Sequence, residues 1–214
     1  MCGRYFVKDD TADDVERVLM KIASDRGTGT PYANGNGNAL RDGSQGYRFI
    51  SGDVHPTELA GVIRIENHVP RLSSVRWGLP GFHKGHVIFN ARSEGALEKQ
   101  AFRKGLMTGR IVIPAAGFYE WNARKEKNVF LRKDGRSTFM AGFCLGTAED
   151  ERFTILTTAA NDSMKPVHDR MPLILEEDEI GPWLYDPEHA TNLLKKVPVL
   201  LERRTDYEQM SLFS

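Results

Sequence analysis

The stretch Val129-Phe130-Leu131-Arg132-Lys133-Asp134-Gly135-Arg136-Ser137-Thr138-Phe139-Met140-Ala141-Gly142-Phe143-Cys144-Leu145 sets two apolar runs on either side of a Lys-Asp-Gly turn signal. Residues of this kind fit a pleated, half-buried surface, and an Asp-Gly pair between two such runs predicts a β-hairpin of Val129–Arg132 with Ser137–Leu145. Arg152–Ala159 extends the pattern downstream as a strong strand. Upstream, further strands are expected at Tyr47–Ile50, Leu59–Ile65, Leu72–Trp77, Val87–Asn90 and Arg110–Pro114.

Helices flank this strand-rich middle. Val15, Val18, Leu19 and Ile22 recur at helical spacing, which predicts an amphipathic helix over Thr11–Ser24, with Thr11 and Asp14 as a capping box. Glu94–Met107 reads as a second helix, with Ser93 as its cap. Two short helices are expected between Glu176 and Lys196, the latter opened by Asp186-Pro187-Glu188. A Gly- and Asn-rich segment, residues 25–46, reads as a flexible surface loop; its other reading is a mobile lid. The expectation is α+β: a single domain over residues 1–214 with an antiparallel, barrel-like sheet core and flanking helices.

The 29 basic and 29 acidic residues cancel. A neutral chain has no global attraction for polyanions, so any such site must come from local clustering of Arg and Lys. No export signal or apolar stretch of bilayer length is visible, and a cytoplasmic location is expected. Of the two cysteines, Cys144 lies in an apolar run and reads as a core thiol, whereas Cys2 has no such context. A disulfide between them is not expected in a reducing compartment.

Cys2 follows Met1 directly, and removal of Met1 would leave an N-terminal cysteine. That residue carries an amine titrating near ~8 and a thiol near ~8.5 on adjacent carbons. Together they can close a thiazolidine ring on an aldehyde; alternatively the thiol attacks an amide with the amine as base. The plain alternative is an incidental cysteine. Three internal segments bear on the choice. In Phe89-Asn90-Ala91-Arg92-Ser93-Glu94, polar groups crowd the end of a strand, as either a simple turn or a phosphate-facing site. Glu120 sits between Tyr119 and Trp121, either exposed or held in apolar surroundings that suit a general acid or base. His168-Asp169-Arg170 offers a proton-transfer group, a carboxylate to orient it and an anion-binding guanidinium, or else a polar turn closed by prolines. No metal-ligand spacing or phosphate-binding glycine loop is present in the sequence.

Met1-Cys2-Gly3-Arg4-Tyr5, Trp77-Gly78-Leu79-Pro80-Gly81-Phe82, Asn90-Ala91-Arg92-Ser93-Glu94, Gly117-Phe118-Tyr119-Glu120-Trp121 and His168-Asp169-Arg170-Met171-Pro172 occur in that order. Each is modest alone; the ordered set resembles the SRAP family of abasic site processing proteins. The resemblance implies that the chain recognises abasic sites in single-stranded DNA. It further implies that the Cys2 amine attacks the C1′ aldehyde of the opened sugar and that the thiol closes a durable crosslink. It assigns Asn90 to positioning Cys2, Glu120 to imine chemistry and His168 to sugar-ring opening. Arg4, Arg92, Thr158 and Arg170 become DNA contacts, and Trp77 a base-stacking surface. Neither metal nor cofactor is implied, and a monomer is expected.

Asp53 stands where the family pattern has Asn, which brings a negative charge toward the expected DNA site. Val197–Ser214 lacks the family's usual ending, and nothing is carried over to it. Two other functions compete. One is an N-terminal-nucleophile cysteine amidohydrolase or (auto)peptidase, the other a non-covalent single-stranded DNA-binding module in which Cys2 is only structural.

Overall fold

The computed structural model describes residues 2–29, 31, 51–81, 83 and 85–205. Its first half runs β1 (Tyr5–Val7), α1 (Asp9–Arg26), β2 (Gly52–Val54), β3 (Leu59–Glu66), β4 (Val69–Trp77), β5 (Leu79–Pro80), β6 (Val87–Ile88), β7 (Asn90–Arg92) and α2 (Gln100–Thr108). The second half runs β8 (Arg110–Ala115), β9 (Gly117–Trp121), β10 (Lys127–Arg132), β11 (Thr138–Leu145), β12 (Arg152–Ala159), β13 (Arg170–Pro172), β14 (Ile174–Leu175), α3 (Glu177–Tyr185), α4 (Pro187–Leu193) and β15 (Leu201–Thr205). The chain is α+β, as its strand-and-helix pattern implies.

Alternation along the central strands builds the layers. In β11, Phe139, Ala141 and Phe143 face one hydrophobic cluster, while Met140 and Cys144 face another. β8 divides likewise, with Val112 on the first side and Ile111, Ile113 and Ala115 on the second. The first cluster is closed by the apolar faces of the helices, through Val15, Val18, Leu19 and Ile22 of α1 and Ile180, Trp183 and Leu184 of α3. The second is closed by a separate sheet, through Tyr5, Phe118, Phe130 and Leu201. A strand buried on both faces reads as a continuous apolar run, which is why β11 shows little polar alternation.

The larger sheet has the order β13-β12-β4-β3-β8-β11-β14, and an added β12–β11 pairing closes a ring of strands. β7 lies beside β12. Most pairings are antiparallel, but β12 runs parallel to both β4 and β7. The smaller sheet, in the order β15-β10-β9-β1-β2, is antiparallel throughout.

The expected hairpin is the main correction. The turn itself is present: Gly135 has φ of 75°, and its N–H reaches Arg132 O at 3.3 Å. β10 and β11 nevertheless belong to different sheets. Both edges of β10 are taken, by β9 and β15, while β11 pairs with β8, β12 and β14. The Ser137 N–H donates to Asp14 Oδ2 of α1 at 2.7 Å, anchoring the chain as it passes from one layer to the next.

Asp14 therefore does not cap its own helix. α1 begins two residues earlier than the pattern implied, and Thr11 Oγ1 accepts from the Lys8 N–H at 3.2 Å. Its C-terminus closes on Gly27 in the left-handed region, where φ is 61°. Residues 94–98 form turns, so α2 starts at Gln100 and Ser93 caps nothing; its N–H is used by Thr157 O instead. Asp186 caps α4 as its sequence implied, accepting from the N–H groups of Glu188 and His189. The Tyr47–Ile50 strand and most of the expected loop at 25–46 lie outside the described residues, while Asp25 and Arg26 complete α1.

Candidate active site

Cys2 enters the core just before β1 and is 1% exposed. Its carbonyl accepts from Asn90 Nδ2 at 2.8 Å, and its Sγ donates to Arg4 O at 3.6 Å. Asn90 starts β7, which is fixed by its parallel register with β12, Asn90 opposite Ile155. The same carboxamide has a buried Oδ1 that accepts no hydrogen bond among the described residues.

Glu120 lies on the inward side of β9. Phe118 and Glu120 of β9 are buried, whereas Tyr119 and Trp121 between and beyond them are half-buried. The inward side puts the carboxylate, 5% exposed, within electrostatic reach of Cys2. The Tyr119 N–H donates to Arg4 O at 3.0 Å and locks the start of β1 to this strand. Burial, reinforced by the Glu120 charge, pushes the Cys2 thiol up to about 12. The resting thiol is therefore neutral, and thiolate chemistry is suppressed until the site changes.

His168 closes a turn whose Met164 and Val167 pack into the same cluster as Cys2. Its ring Nδ1 accepts the Arg170 N–H at 2.9 Å and lies 2.8 Å from Asp169 Oδ1. With the Arg170 N–H donating to Nδ1, the neutral ring carries its proton on Nε2. Asn90 thus bonds Cys2 and Glu120 acts on it electrostatically, whereas the His168 contacts just described run to Asp169 and Arg170.

The expected DNA contacts divide. Arg92 is exposed. Arg4 is partly exposed, 3.6 Å from Asp53 Oδ2, with its guanidinium 5.4 Å from the Trp121 ring centroid. Arg170 is 9% exposed and grips both carboxylate oxygens of Glu94 while donating to Thr157 O at 2.6 Å. An anion would have to displace Glu94 to use it, a structural duty its sequence did not indicate. Thr158 is 7% exposed. Arg92, Glu94, Gly95, Lys99 and Arg170 line a cleft of about 400 Å³. Trp77 corrects its expected role: it is 0% exposed, stacks on Phe153 at 6.2 Å and donates from Nε1 to Phe89 O at 2.9 Å. It has no free face to offer a base.

Glu94 was quoted in the sequence motif without a role. Its signal was the acid placed two residues after Arg92, but its true partner, Arg170, is remote in sequence. Among the described residues, no cluster of three or more His, Cys, Asp or Glu could hold a metal ion, and no helix is long and apolar enough to cross a membrane.

The model of the SOS response associated peptidase (SRAP) family matches residues 1–211. The chain belongs to the SRAP family. This SRAP chain is 36% identical over 213 residues to the abasic site processing protein YoqW of Bacillus subtilis, covering 91% of the chain and 87% of the relative. It is 30% identical over 195 residues to the abasic site processing protein YedK of Escherichia coli, covering 86% and 79% respectively. Among solved structures, a protein of Bordetella bronchiseptica shares the fold with a TM-score of 0.68 at 23% identity, covering 95% of this chain and 99% of that one.

Proposed function

We propose that this SRAP protein, acting as a cytoplasmic monomer without metal or cofactor, recognises abasic sites in single-stranded DNA and traps them covalently through Cys2 once Met1 is removed. The observation that carries the proposal is the convergence on Cys2: Asn90 Nδ2 bonds its carbonyl at 2.8 Å, and the buried Glu120 carboxylate acts on its thiol. Relatives named abasic site processing proteins support the choice of substrate.

The chemistry balances without a co-reactant. His168 delivers a proton to the sugar-ring oxygen and recovers one from the C1′ hydroxyl, which speeds opening of the ring to the aldehyde. The Cys2 amine adds to C1′ and passes its surplus proton to the Glu120 carboxylate, which returns it to the departing hydroxyl, so that water leaves and an imine forms. The neutral thiol then adds across the C=N bond, its proton passing to nitrogen, and the thiazolidine closes. Asn90 Oδ1 is suited to accept from the new amine while Nδ2 holds the carbonyl, which orients the nucleophile. Arg4 and Arg92 supply phosphate contacts.

An amine-first order suits a thiol held neutral by burial. Amide cleavage by the thiol, as in the family's older name, requires the thiolate that this environment disfavours. The test compares Met1-free and Met1-retaining protein on single-stranded DNA bearing one abasic site, by denaturing electrophoresis. A denaturation-resistant band only from the Met1-free protein is expected. Equal retention of intact DNA without any such band would overturn trapping in favour of non-covalent binding. Cleavage of a peptide or glutamine amide without DNA would favour the hydrolase.

A further inference from the structure

We infer that Asn161 and Ser163 are positioning residues for His168, bolting the turn that carries it to the segment that leads into β15; the inference rests on the ring-opening role given to His168 above. His168 and Glu120 hang from different sheets. The turn at 161–167 bridges β12 and β13 of the larger sheet, whereas Glu120 lies on β9 of the smaller one. Ring opening and imine formation both act at C1′ of one sugar, so the separation of the two side chains has to be held across that divide.

Asn161 spans it. The side chain is 7% exposed and uses its full hydrogen-bonding capacity. Nδ2 donates to Pro198 O and to Val199 O, each at 2.9 Å. Oδ1 accepts from the Ser163 N–H at 3.1 Å and from Ser163 Oγ at 2.6 Å. Ser163 Oγ in turn accepts from the Leu201 N–H at 3.0 Å. The clip reaches His168 through one helical turn: Asn161 O accepts the Met164 N–H at 3.0 Å, and Met164 O accepts the His168 N–H at 3.0 Å. It reaches Glu120 through the sheet: Leu201 opens β15, and the register runs from Thr205 across Asn128 of β10 to Glu120. Met164, Val167 and Leu201 also pack in one cluster with Cys2. A buried polar network with every member paired favours a single arrangement. The segment 198–201 thereby gains a task that its sequence did not disclose.

Two substrates separate positioning from general support. One is single-stranded DNA with an ordinary abasic site, whose sugar has to open. The other carries an open-chain aldehyde without the hydroxyl that closes the ring, so that trapping skips ring opening. Asn161→Leu keeps the side-chain outline and removes every bond made by the carboxamide. Ser163→Ala removes only the Oγ link, and it decides the matter if Asn161→Leu does not fold. Each folded variant should crosslink the closed sugar about tenfold more slowly, a part of the about 10²–10⁴ that a placed general acid–base group contributes. On the open-chain aldehyde both should match wild type, and His168→Gln should show the same contrast more strongly. Unchanged trapping of the closed sugar by both variants, with His168→Gln slowed, overturns the clip and leaves the role of His168 standing. Equal slowing on both substrates also overturns it, because the defect then lies outside ring opening. A wild-type rate in His168→Gln overturns the ring-opening role and the clip together, and no adduct from wild-type protein on either substrate overturns trapping itself.

Discussion

Asn90→Asp isolates the contact that seats the nucleophile. The replacement is nearly isosteric, so it opens no cavity; it exchanges the Nδ2 donor for an oxygen. At 2.8 Å from the Cys2 carbonyl, that oxygen repels where Nδ2 attracted. Cys2 is 1% exposed, so water does not readily replace the lost donor. Stranding a buried acceptor costs about 1–3 kcal/mol. That corresponds to a fall of about 5- to 150-fold in the population with Cys2 correctly placed. The single-turnover rate of crosslink formation on abasic single-stranded DNA should drop by that factor. The thermal midpoint should fall by no more than about 10 °C. An unchanged rate in folded Asn90→Asp protein would show that this hydrogen bond does not seat the nucleophile, and the positioning role would be wrong.

Asp53→Asn removes the acid facing Arg4, a partly exposed pair worth about 0–1 kcal/mol, and should tighten binding of undamaged single-stranded DNA by up to about fivefold at low salt; weaker binding in an anisotropy titration would show that Asp53 orients Arg4 instead of competing with phosphate. Burial raises both thiols to about 12 from an ordinary 9.0, so the folded state holds these protons more tightly than the unfolded one. Their stabilisation is complete below about pH 9 and is lost as pH rises toward about 12. Cys144→Ala should flatten this alkaline decline in urea midpoints, and an equally steep decline would contradict the assignment. Trp77→Ala should behave as a core truncation, costing about 3–5 kcal/mol and on the order of 10 °C in midpoint. Selective loss of DNA affinity at unchanged stability would return Trp77 to the interface.

Local chemistry was legible where one segment decides the outcome. Arg152–Ala159 is β12 to the residue, and Asp186-Pro187-Glu188 opens α4, because strand burial and helix capping depend on near neighbours. The Lys133-Asp134-Gly135 turn was legible too, but not what the strands on either side of it pair with. That choice rests on β9 and β15 filling both edges of β10, which no local pattern encodes. Trp77 failed for a similar reason: a large aromatic suits a base-stacking face and a core equally, and Phe153, Phe89 and Tyr5 close around it from distant segments. The convergence of Asn90 and Glu120 on Cys2 joins residues far apart in the chain. The residues alone left it open, because which side chains meet Cys2 is set by the pairing of β7 with β12 and of β9 with β1. Glu94 as the clasp of Arg170 went unassigned because a carboxylate's partner is set by the fold.

Covalent capture by the paired amine and thiol of Cys2 is read in the intact mass of the product. Protein confirmed to begin at Cys2 is mixed with single-stranded DNA carrying one abasic site, then denatured without a reductant. A species at the summed mass of protein and DNA less one water is expected, with no durable counterpart from Cys2→Ser, whose amine and hydroxyl form only a reversible imine or oxazolidine. An equally durable adduct from Cys2→Ser, or no adduct from correctly processed wild-type protein, would contradict it.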